Sequence, residues 1–199
     1  QSIVNICPVP SMNNAENYFN HLSWNPSGER FLFFHLWKNK NSRQSRLFTA
    51  DKNGENLCLL EKEEIVSHYS WINDIDMIIT TYSKEFGIRY NIYRDQTKDR
   101  NILSVKELNE DGHPSFCPDN NKLFLSDTYT NKYGDRSLFT YDIKNNKKKL
   151  IGDYYSPINY RGEYRCDLHP RWSNDGSMVC FDSTHSNNIR TINIVYLKK

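Results

Sequence analysis

Short apolar segments alternate with polar turns along most of the 199-residue chain. The apolar segments are rich in aromatic and β-branched residues, and Gly, Asn, Asp or Pro stands between them. The first group favours strands and the second favours chain reversals. A polar loop is predicted at 38–45 and a turn at 51–54. The pattern predicts strands at residues 30–37, 46–50, 56–60, 77–81, 90–93, 102–103, 122–126, 137–141, 149–151, 178–181 and 191–196.

One phrase recurs four times and sets a histidine three residues before an aromatic side chain. The histidines are 47, 45 and 56 residues apart, and they are four of only six in the chain. Because each interval holds about four short strands, the phrase marks a structural repeat. The four copies are His21-Leu-Ser-Trp24, His68-Tyr-Ser-Trp71, His113-Pro-Ser-Phe116 and His169-Pro-Arg-Trp172.

This repeat predicts the fold class, an all-β propeller of four-stranded antiparallel blades. One blade cannot bury both of its faces, so its stacked neighbours complete the core. Four blades of one domain are predicted, and residues 1–20 are expected to be a linker or the end of a preceding blade. Four blades can close alone, but the repeat resembles bacterial Trp-Ser-Pro-Asp-Gly repeats of larger propellers. We therefore expect part of a six- or seven-bladed propeller, with further N-terminal blades, and with the blades here at about 21–63, 64–108, 109–163 and 164–199.

Composition and charge narrow the class of partner. The formal net charge of +2 gives no reason to expect nucleic acid, and the lysine run at 147–149 is predicted to be a solvated loop. No stretch approaches the ~18 apolar residues of a membrane span. The five cysteines form no Cys-x-x-Cys pair. They are expected to be reduced and mostly buried, which favours a cytoplasmic protein, with the periplasm as the alternative.

The histidines and one long loop carry the candidate chemistry. In a propeller the first strand of each blade lines the central channel, so four imidazoles in register converge there. They can bind a transition metal or transfer protons, or each can cap its own blade. The loop within 152–167 is about ten residues longer than its counterparts, and its Tyr and Arg residues suit an acidic sugar. The candidate sugar-binding residues are Tyr160, Arg161, Tyr164, Arg165 and Arg171.

Over most of its length the chain resembles the oligogalacturonate lyases, seven-bladed propellers that cleave short pectin fragments by β-elimination at a metal site. Their Thr-His-x-x-Trp phrase corresponds to Ser67-His68-Tyr-Ser-Trp71, which implies that His68 is the Brønsted base. The resemblance also implies that Arg46 is catalytic and that His113 is a metal ligand. The phrase from Tyr160 to Trp172 is more similar still to uncharacterised lyase-like propellers.

The family's Gln-x-x-His-x-His-Pro phrase falls on residues 164–170, and this chain departs from it twice. His169 is kept, but Asp167 replaces the other histidine and Tyr164 replaces the glutamine. Aspartate is a competent ligand that suits Mn²⁺ or a similar divalent ion, whereas tyrosine is a poor one. The resemblance therefore implies a metal held by His113, Asp167 and His169.

The resemblance implies metal-assisted β-elimination on a uronate-containing oligosaccharide. In that reaction His68 takes the C5 proton, while the metal and Arg46 neutralise the uronate carboxylate. His21 is then left as a structural or supporting residue. Two alternatives stay open. One is a propeller that binds a glycan or a protein without turnover, and the other is a glycosidase that uses two carboxylates among Glu163, Asp167 and Asp182.

Overall fold

The computed structural model of the protein describes residues 3–39 and 42–197. Short 3₁₀ turns lie at Ile3–Asn5, Pro10–Met12 and Gly162–Tyr164. The strands of the first two blades are β1 (Glu16–Trp24), β2 (Arg30–Asn39), β3 (Ser42–Asp51), β4 (Cys58–Glu61), β5 (Ile65–Trp71), β6 (Asp76–Ser83), β7 (Gly87–Arg94) and β8 (Arg100–Ile102). Those of the next two blades are β9 (Ser115–Cys117), β10 (Asn120–Asp127), β11 (Asp135–Asp142), β12 (Lys147–Tyr155), β13 (Arg171–Trp172), β14 (Met178–Ser183) and β15 (Thr191–Tyr196).

These strands form four antiparallel sheets in chain order, and the predicted propeller is confirmed. Three sheets have four strands, and the fourth has three within the described residues. Each strand pairs with the next one along the chain, so every sheet is a simple meander. The first strand of each sheet lies at its inner edge, where β5 contacts β9 and β9 contacts β13.

The core is divided into apolar clusters that lie between neighbouring blades. Met77 and Ile79 of β6 pack toward blade 1, whereas Ile78 packs toward blade 3. In the same way Phe124 of β10 packs toward blade 2 and Leu125 toward blade 4. The middle strands are thus buried on both faces, which explains their uninterrupted apolar sequence. Each large side chain buried in this way contributes roughly 1.5–3 kcal/mol.

The aromatic residue of the repeated phrase joins one blade to the one before it. The Trp71 indole donates a hydrogen bond to the Ser23 carbonyl at 3.1 Å. Trp172 donates to the Ser115 carbonyl at 2.9 Å. In these two copies the phrase therefore joins the inner edges of neighbouring blades.

Three expectations from the sequence were wrong. The predicted loop at 38–45 is largely a hairpin, because Ser45 and Gln44 pair with Leu36 and Trp37; residues 40 and 41 lie outside the described residues. The lysines at 147–149 open β12 instead of forming a loop, since they pair with residues 140–142. All five cysteines are free, but only Cys166 is buried.

Across residues 3–39 and 42–197, no helix is long and apolar enough to cross a membrane.

Candidate functional site

The four histidines of the repeated phrase lie at the inner edge of their blades. His21 is within β1 and His68 within β5, while His113 and His169 lie two residues before β9 and β13. The pairing of β1 with β2 shifts at His21, and the pairing of β5 with β6 shifts at His68. Such bulges redirect side chains. His21 and His169 also have positive φ angles of 55° and 43°, which are uncommon outside glycine.

Three of these imidazoles form a close row. The ring centroids of His68 and His113 are 4.1 Å apart, and those of His113 and His169 are 4.2 Å apart. His21 stands further off, at 6.5 Å from His68, and its ring stacks on Phe34. Burial, and next the charge that His68 can carry, lower the pKa of His21 to about 4. His21 is therefore a neutral neighbour of the row at physiological pH.

His68 is oriented by a half-buried carboxylate. Its Nδ1 atom lies 3.0 Å from Asp111 Oδ1, and its backbone N–H donates to Thr80 Oγ1 at 2.8 Å. A carboxylate only accepts hydrogen bonds, so Nδ1 carries the proton and Nε2 of the neutral ring keeps a lone pair. Burial alone would raise the pKa of the Asp111 carboxyl, but the hydrogen bond and charge of His68 hold it below its ordinary value. This pair has the geometry of a general base and the carboxylate that orients it.

His113 is held in the same way by Asp127. Its Nδ1 atom lies 2.9 and 3.0 Å from the two Asp127 oxygens, and its backbone N–H also donates to Oδ1. The His169 backbone N–H donates to the other oxygen of this carboxylate at 3.2 Å. One buried aspartate therefore positions two histidines. Hydrogen bonding from His113 outweighs burial and keeps the pKa of the Asp127 carboxyl low.

The third member of the candidate ligand set, Asp167, is buried beside two arginines. Arg165 Nε donates to its Oδ2 at 2.7 Å, and Arg136 Nη1 lies 2.6 Å from its Oδ1 without hydrogen-bond alignment. One ligand atom from each of His113, Asp167 and His169 lies within 4.8 Å of the others. The structure thus brings together the three residues that the family resemblance implies as ligands.

The donor set fits a divalent cation. Imidazole and carboxylate together suit Mn²⁺ and its neighbours. The bond from His113 Nδ1 to Asp127 is the support that metal-binding imidazoles commonly have. Burial, and next the charge of His113, lower the pKa of His169 and favour the neutral form that binds metals. The arginines weaken Asp167 as a donor, but its Oδ1 makes no aligned hydrogen bond and keeps a free lone pair.

The row opens into a cavity of about 660 Å³. Arg165 and Arg171, both predicted to bind an acidic sugar, line it together with the four histidines and Asp167. The Arg165 guanidinium also stacks 4.8 Å from the ring centre of Tyr129. Burial, and next the charge of Asp111, raise the pKa of Tyr129 to about 12. The cavity thus combines oriented imidazoles with two cationic side chains at its wall.

Arg46, which the resemblance places at the catalytic centre, lies elsewhere. It is 1% exposed, and its Nε atom donates to His35 Nδ1 at 2.9 Å. Its other nitrogens donate to the backbone carbonyls of Ile3, Ile6 and Cys7. The structure does not bring Arg46 to the histidine row, because these bonds direct its guanidinium to the segment that precedes β1.

The remaining predicted residues are spread around the site. Tyr160 and Arg161 line a second cavity, which meets the first at Arg165. The Tyr164 side chain is 74% exposed and is absent from the described lining of the histidine cavity. Neither Glu163 nor Asp182 is among the described residues that line this cavity.

Several supporting residues were missed from the sequence. Asp111 precedes His113 by two positions, and the phrase Asp-Gly-His was a usable signal. Asp127 and Tyr129 follow a predicted strand, but nothing local connects them to a histidine far earlier in the chain. Arg136 lies near the start of β11, and no sequence motif marks it.

The chain was compared with known proteins. No family model and no curated protein sequence matches it. Among solved structures it is similar to an oligogalacturonate lyase in complex with manganese (TM-score 0.71, 15% identity, covering 92% of this chain and 49% of that one). It is also similar to TolB from Acinetobacter baumannii (0.62, 17%, 89% and 38%). An acylaminoacyl peptidase from Pyrococcus horikoshii is a third similar structure (0.64, 8%, 92% and 32%).

These similarities define the class of the protein, a β-propeller. The resemblance to oligogalacturonate lyase is confirmed as a likeness of fold. The chain spans about half of that lyase's length and less of the other two. Because structures with different activities share the arrangement, an activity has to be argued from the site itself.

Proposed function

We propose that the protein is a metal-assisted lyase that performs β-elimination on a uronate-containing oligosaccharide. The observation that carries this proposal is the oriented pair of His68 and Asp111 beside His113, in a cavity that Arg165 and Arg171 line. The fold shared with a manganese-bound oligogalacturonate lyase supports the same reaction class.

In this proposal His68 is the base. Its Nε2 lone pair accepts the C5 proton of the uronate, while Asp111 holds the ring in place and stabilises the imidazolium that forms. The bond between C4 and its oxygen substituent then breaks. A double bond forms between C4 and C5. The departing oxygen takes a proton from water, and the His68 imidazolium returns its proton to solvent. General-base catalysis of this kind contributes roughly 10²–10⁴-fold.

Arg165 and Arg171 are proposed to bind the uronate carboxylate. An anionic carboxylate makes the adjacent C5–H bond a weak acid, so neutralising its charge is necessary before the proton can leave. Arginine forms paired hydrogen bonds with carboxylates, which also orients the sugar. Arg165 is well placed because Tyr129 and Asp167 already fix its guanidinium.

A divalent ion held by His113, Asp167 and His169 would supply further positive charge next to the carboxylate and to the enolate-like intermediate. Asp127 would keep the His113 and His169 positions fixed during the reaction, since it binds the backbone N–H of both.

The second candidate function is a propeller that binds an acidic glycan without turnover. It is favoured by one observation, the contact of both Asp167 oxygens with guanidinium groups. If the arginines keep Asp167 from a metal, the same cavity retains its cationic wall and its imidazoles. Such a protein binds uronates but leaves them intact.

Metal content and turnover separate these functions. The purified protein is analysed for Mn²⁺ and other divalent ions by mass spectrometry, and it is incubated with short galacturonate oligomers. We expect one bound ion and the ultraviolet absorbance of a conjugated, unsaturated uronate. A chelator should abolish turnover, and added Mn²⁺ should restore it.

The variant His113→Ala should lose the ion, whereas His185→Ala, at an exposed histidine of blade 4, should keep it. A protein that binds galacturonate oligomers, takes up no ion from micromolar Mn²⁺ and yields no unsaturated product would contradict the lyase function.

A further inference from the structure

A second cavity of about 450 Å³ lies beside the histidine cavity. Its wall comes from the turn between β10 and β11 and from the long loop after β12. Arg165 lines both cavities, so the two cavities adjoin at this residue. No step of the proposed reaction uses this second cavity.

The charge of its wall is one-sided. Lys132, Arg136, Arg161 and Arg165 line it, and no Asp or Glu is among its described lining residues. Two of these cations, Arg136 and Arg165, share a single carboxylate, that of Asp167. The buried cation, Arg136, thus has a counter-ion, and the surplus positive charge lies on the exposed side chains of Lys132, Arg161 and Arg165. Because no carboxylate among the described lining residues balances this charge, the cavity favours an anion.

Buried polar atoms in the wall also lack partners. Arg136 is 2% exposed, and among the described residues its Nε atom has no hydrogen-bond partner. The same is true of the Oγ atom of Ser156, another buried residue of the wall. Most buried polar groups are satisfied in native proteins, and exceptions point to an ion or ligand.

The aromatic residues of the wall indicate what carries the anion. Tyr133 and Tyr155 are 71% and 50% exposed, and each presents an apolar ring with a polar hydroxyl. The Tyr160 hydroxyl donates to the Asn188 carbonyl at 2.7 Å, which holds that ring in place. Rings and hydroxyls around a cationic centre match a carboxylated sugar better than a small inorganic anion.

We propose that this cavity is a further uronate-binding subsite, in which Arg136, Arg161 and Lys132 receive the carboxylate of a third sugar on the same oligosaccharide. This inference rests on the proposed function, because it assumes that the first cavity holds the two sugars that flank the cleaved bond. Arg165 then contacts sugars in both cavities, and the protein prefers oligomers of three or more sugars, which fill both cavities.

Binding without turnover tests the subsite. In a His68→Gln background, calorimetry gives the affinities for digalacturonate and trigalacturonate, before and after the double substitution Lys132→Gln and Arg161→Gln. We expect the double substitution to weaken trigalacturonate binding about tenfold and digalacturonate binding by less than twofold. A trigalacturonate in which only the carboxylate of that third sugar is methyl-esterified should bind no better than the dimer.

The matched control removes the same charge elsewhere, by Lys147→Gln and Lys149→Gln on the exposed face of β12, and should change neither affinity. Equal losses of affinity in the control and the test variant would indicate a general charge effect and overturn the subsite. An unchanged trigalacturonate affinity in the test variant would also overturn it. Sulfate that competes as well as free galacturonate would overturn the assignment to a sugar.

Elimination by the otherwise unaltered protein separates this inference from the proposed function. Turnover of both oligomers with no effect of the double substitution on KM leaves the lyase standing and removes the subsite. Cavity-dependent binding without any elimination supports the subsite and contradicts the lyase. Absence of both binding and turnover overturns both.

Discussion

His35 and His68 each pair with a charged residue in the inner half of neighbouring blades, but their ring nitrogens differ in use. His35 Nδ1 accepts from Arg46 Nε at 2.9 Å, and its Nε2 lies 2.9 Å from Asn17 Oδ1. Both nitrogens are committed, and the ring is fully buried. His68 engages only Nδ1 among the described residues, and it lines an open cavity.

This difference in hydrogen-bond partners distinguishes a structural histidine, His35, from a candidate catalytic one, His68. An arginine donor forces His35 Nδ1 to be an acceptor, so the ring is neutral and its remaining proton is used. A carboxylate acceptor at His68 forces the opposite arrangement and leaves Nε2 with a free lone pair. A charged partner is common to both. The sign of the partner and the access to the second nitrogen decide what each histidine can do.

The largest effect on the elimination rate is expected from replacing His68, whose Nε2 atom is free to accept a proton. His68→Gln keeps a polar side chain beside Asp111 but removes the proton acceptor. We expect the elimination rate to fall roughly 10²–10⁴-fold, the range for a lost general base. The rate is followed by ultraviolet absorbance of the unsaturated product, and oligomer affinity is measured by calorimetry.

His185→Gln, which makes the same replacement at an exposed histidine, should keep the full rate. A His68→Gln protein that turns over normally would show that the open nitrogen is not the base, and the comparison with His35 would lose its functional meaning.

The second largest effect is expected from breaking the hydrogen bonds that hold Arg46 against His35 and the segment before β1. Arg46→Met removes four hydrogen bonds, three to backbone carbonyls and one to His35. Because charged hydrogen bonds contribute about 1.5–3 kcal/mol each and buried acceptors would be left unpaired, we expect a loss of ~3–5 kcal/mol in unfolding free energy. Urea unfolding measures this loss, and Mn²⁺ affinity at the histidine row should stay unchanged.

Arg94→Gln breaks only the exposed pair with Asp76 and should cost less than ~1 kcal/mol. If Arg46→Met instead stops elimination and leaves stability intact, Arg46 acts in catalysis as the family resemblance implies.

The side chain of Arg46 lies away from the site where the family resemblance places it, and the reason shows what a motif cannot predict. The family resemblance gives Arg46 a place along β3 but not the face of the strand on which its side chain lies. Ser45 Oγ exchanges hydrogen bonds with the backbone of Val66 in blade 2, so Ser45 faces that blade. Successive side chains alternate in a strand. Arg46 must therefore face the other way, toward the segment before β1.

The fold and the histidine row were predictable for a common reason. Both follow from a repeat with a constant period, and equivalent positions of successive blades meet at the inner edge. The carboxylates that orient the row were not predictable in this way. Asp111 binds a histidine of the preceding blade, and Asp127 binds two histidines. These contacts depend on how the blades stack and on β-bulges, and the repeat period predicts neither.

The smallest effect is a pH dependence that distinguishes the two histidine environments. Burial, and next the positive charge of Arg46, lower the pKa of His35 to about 4 from an ordinary value of 6.5. Between these values the unfolded chain takes up a proton that the folded protein refuses. Stability is therefore fully present above pH 6.5 and falls as the pH drops toward 4.

His35→Gln removes this proton from the balance. We expect the variant to be less stable at pH 7 but to lose ~1 kcal/mol less than the parent between pH 6.5 and 5.5. Urea unfolding at several pH values measures both curves, and subtracting them cancels the similar contribution of His21. Parallel curves would mean that His35 accepts a proton in the folded state. The hydrogen bond from Arg46 would then not keep His35 neutral. His35 and His68 would differ only in their access to the cavity.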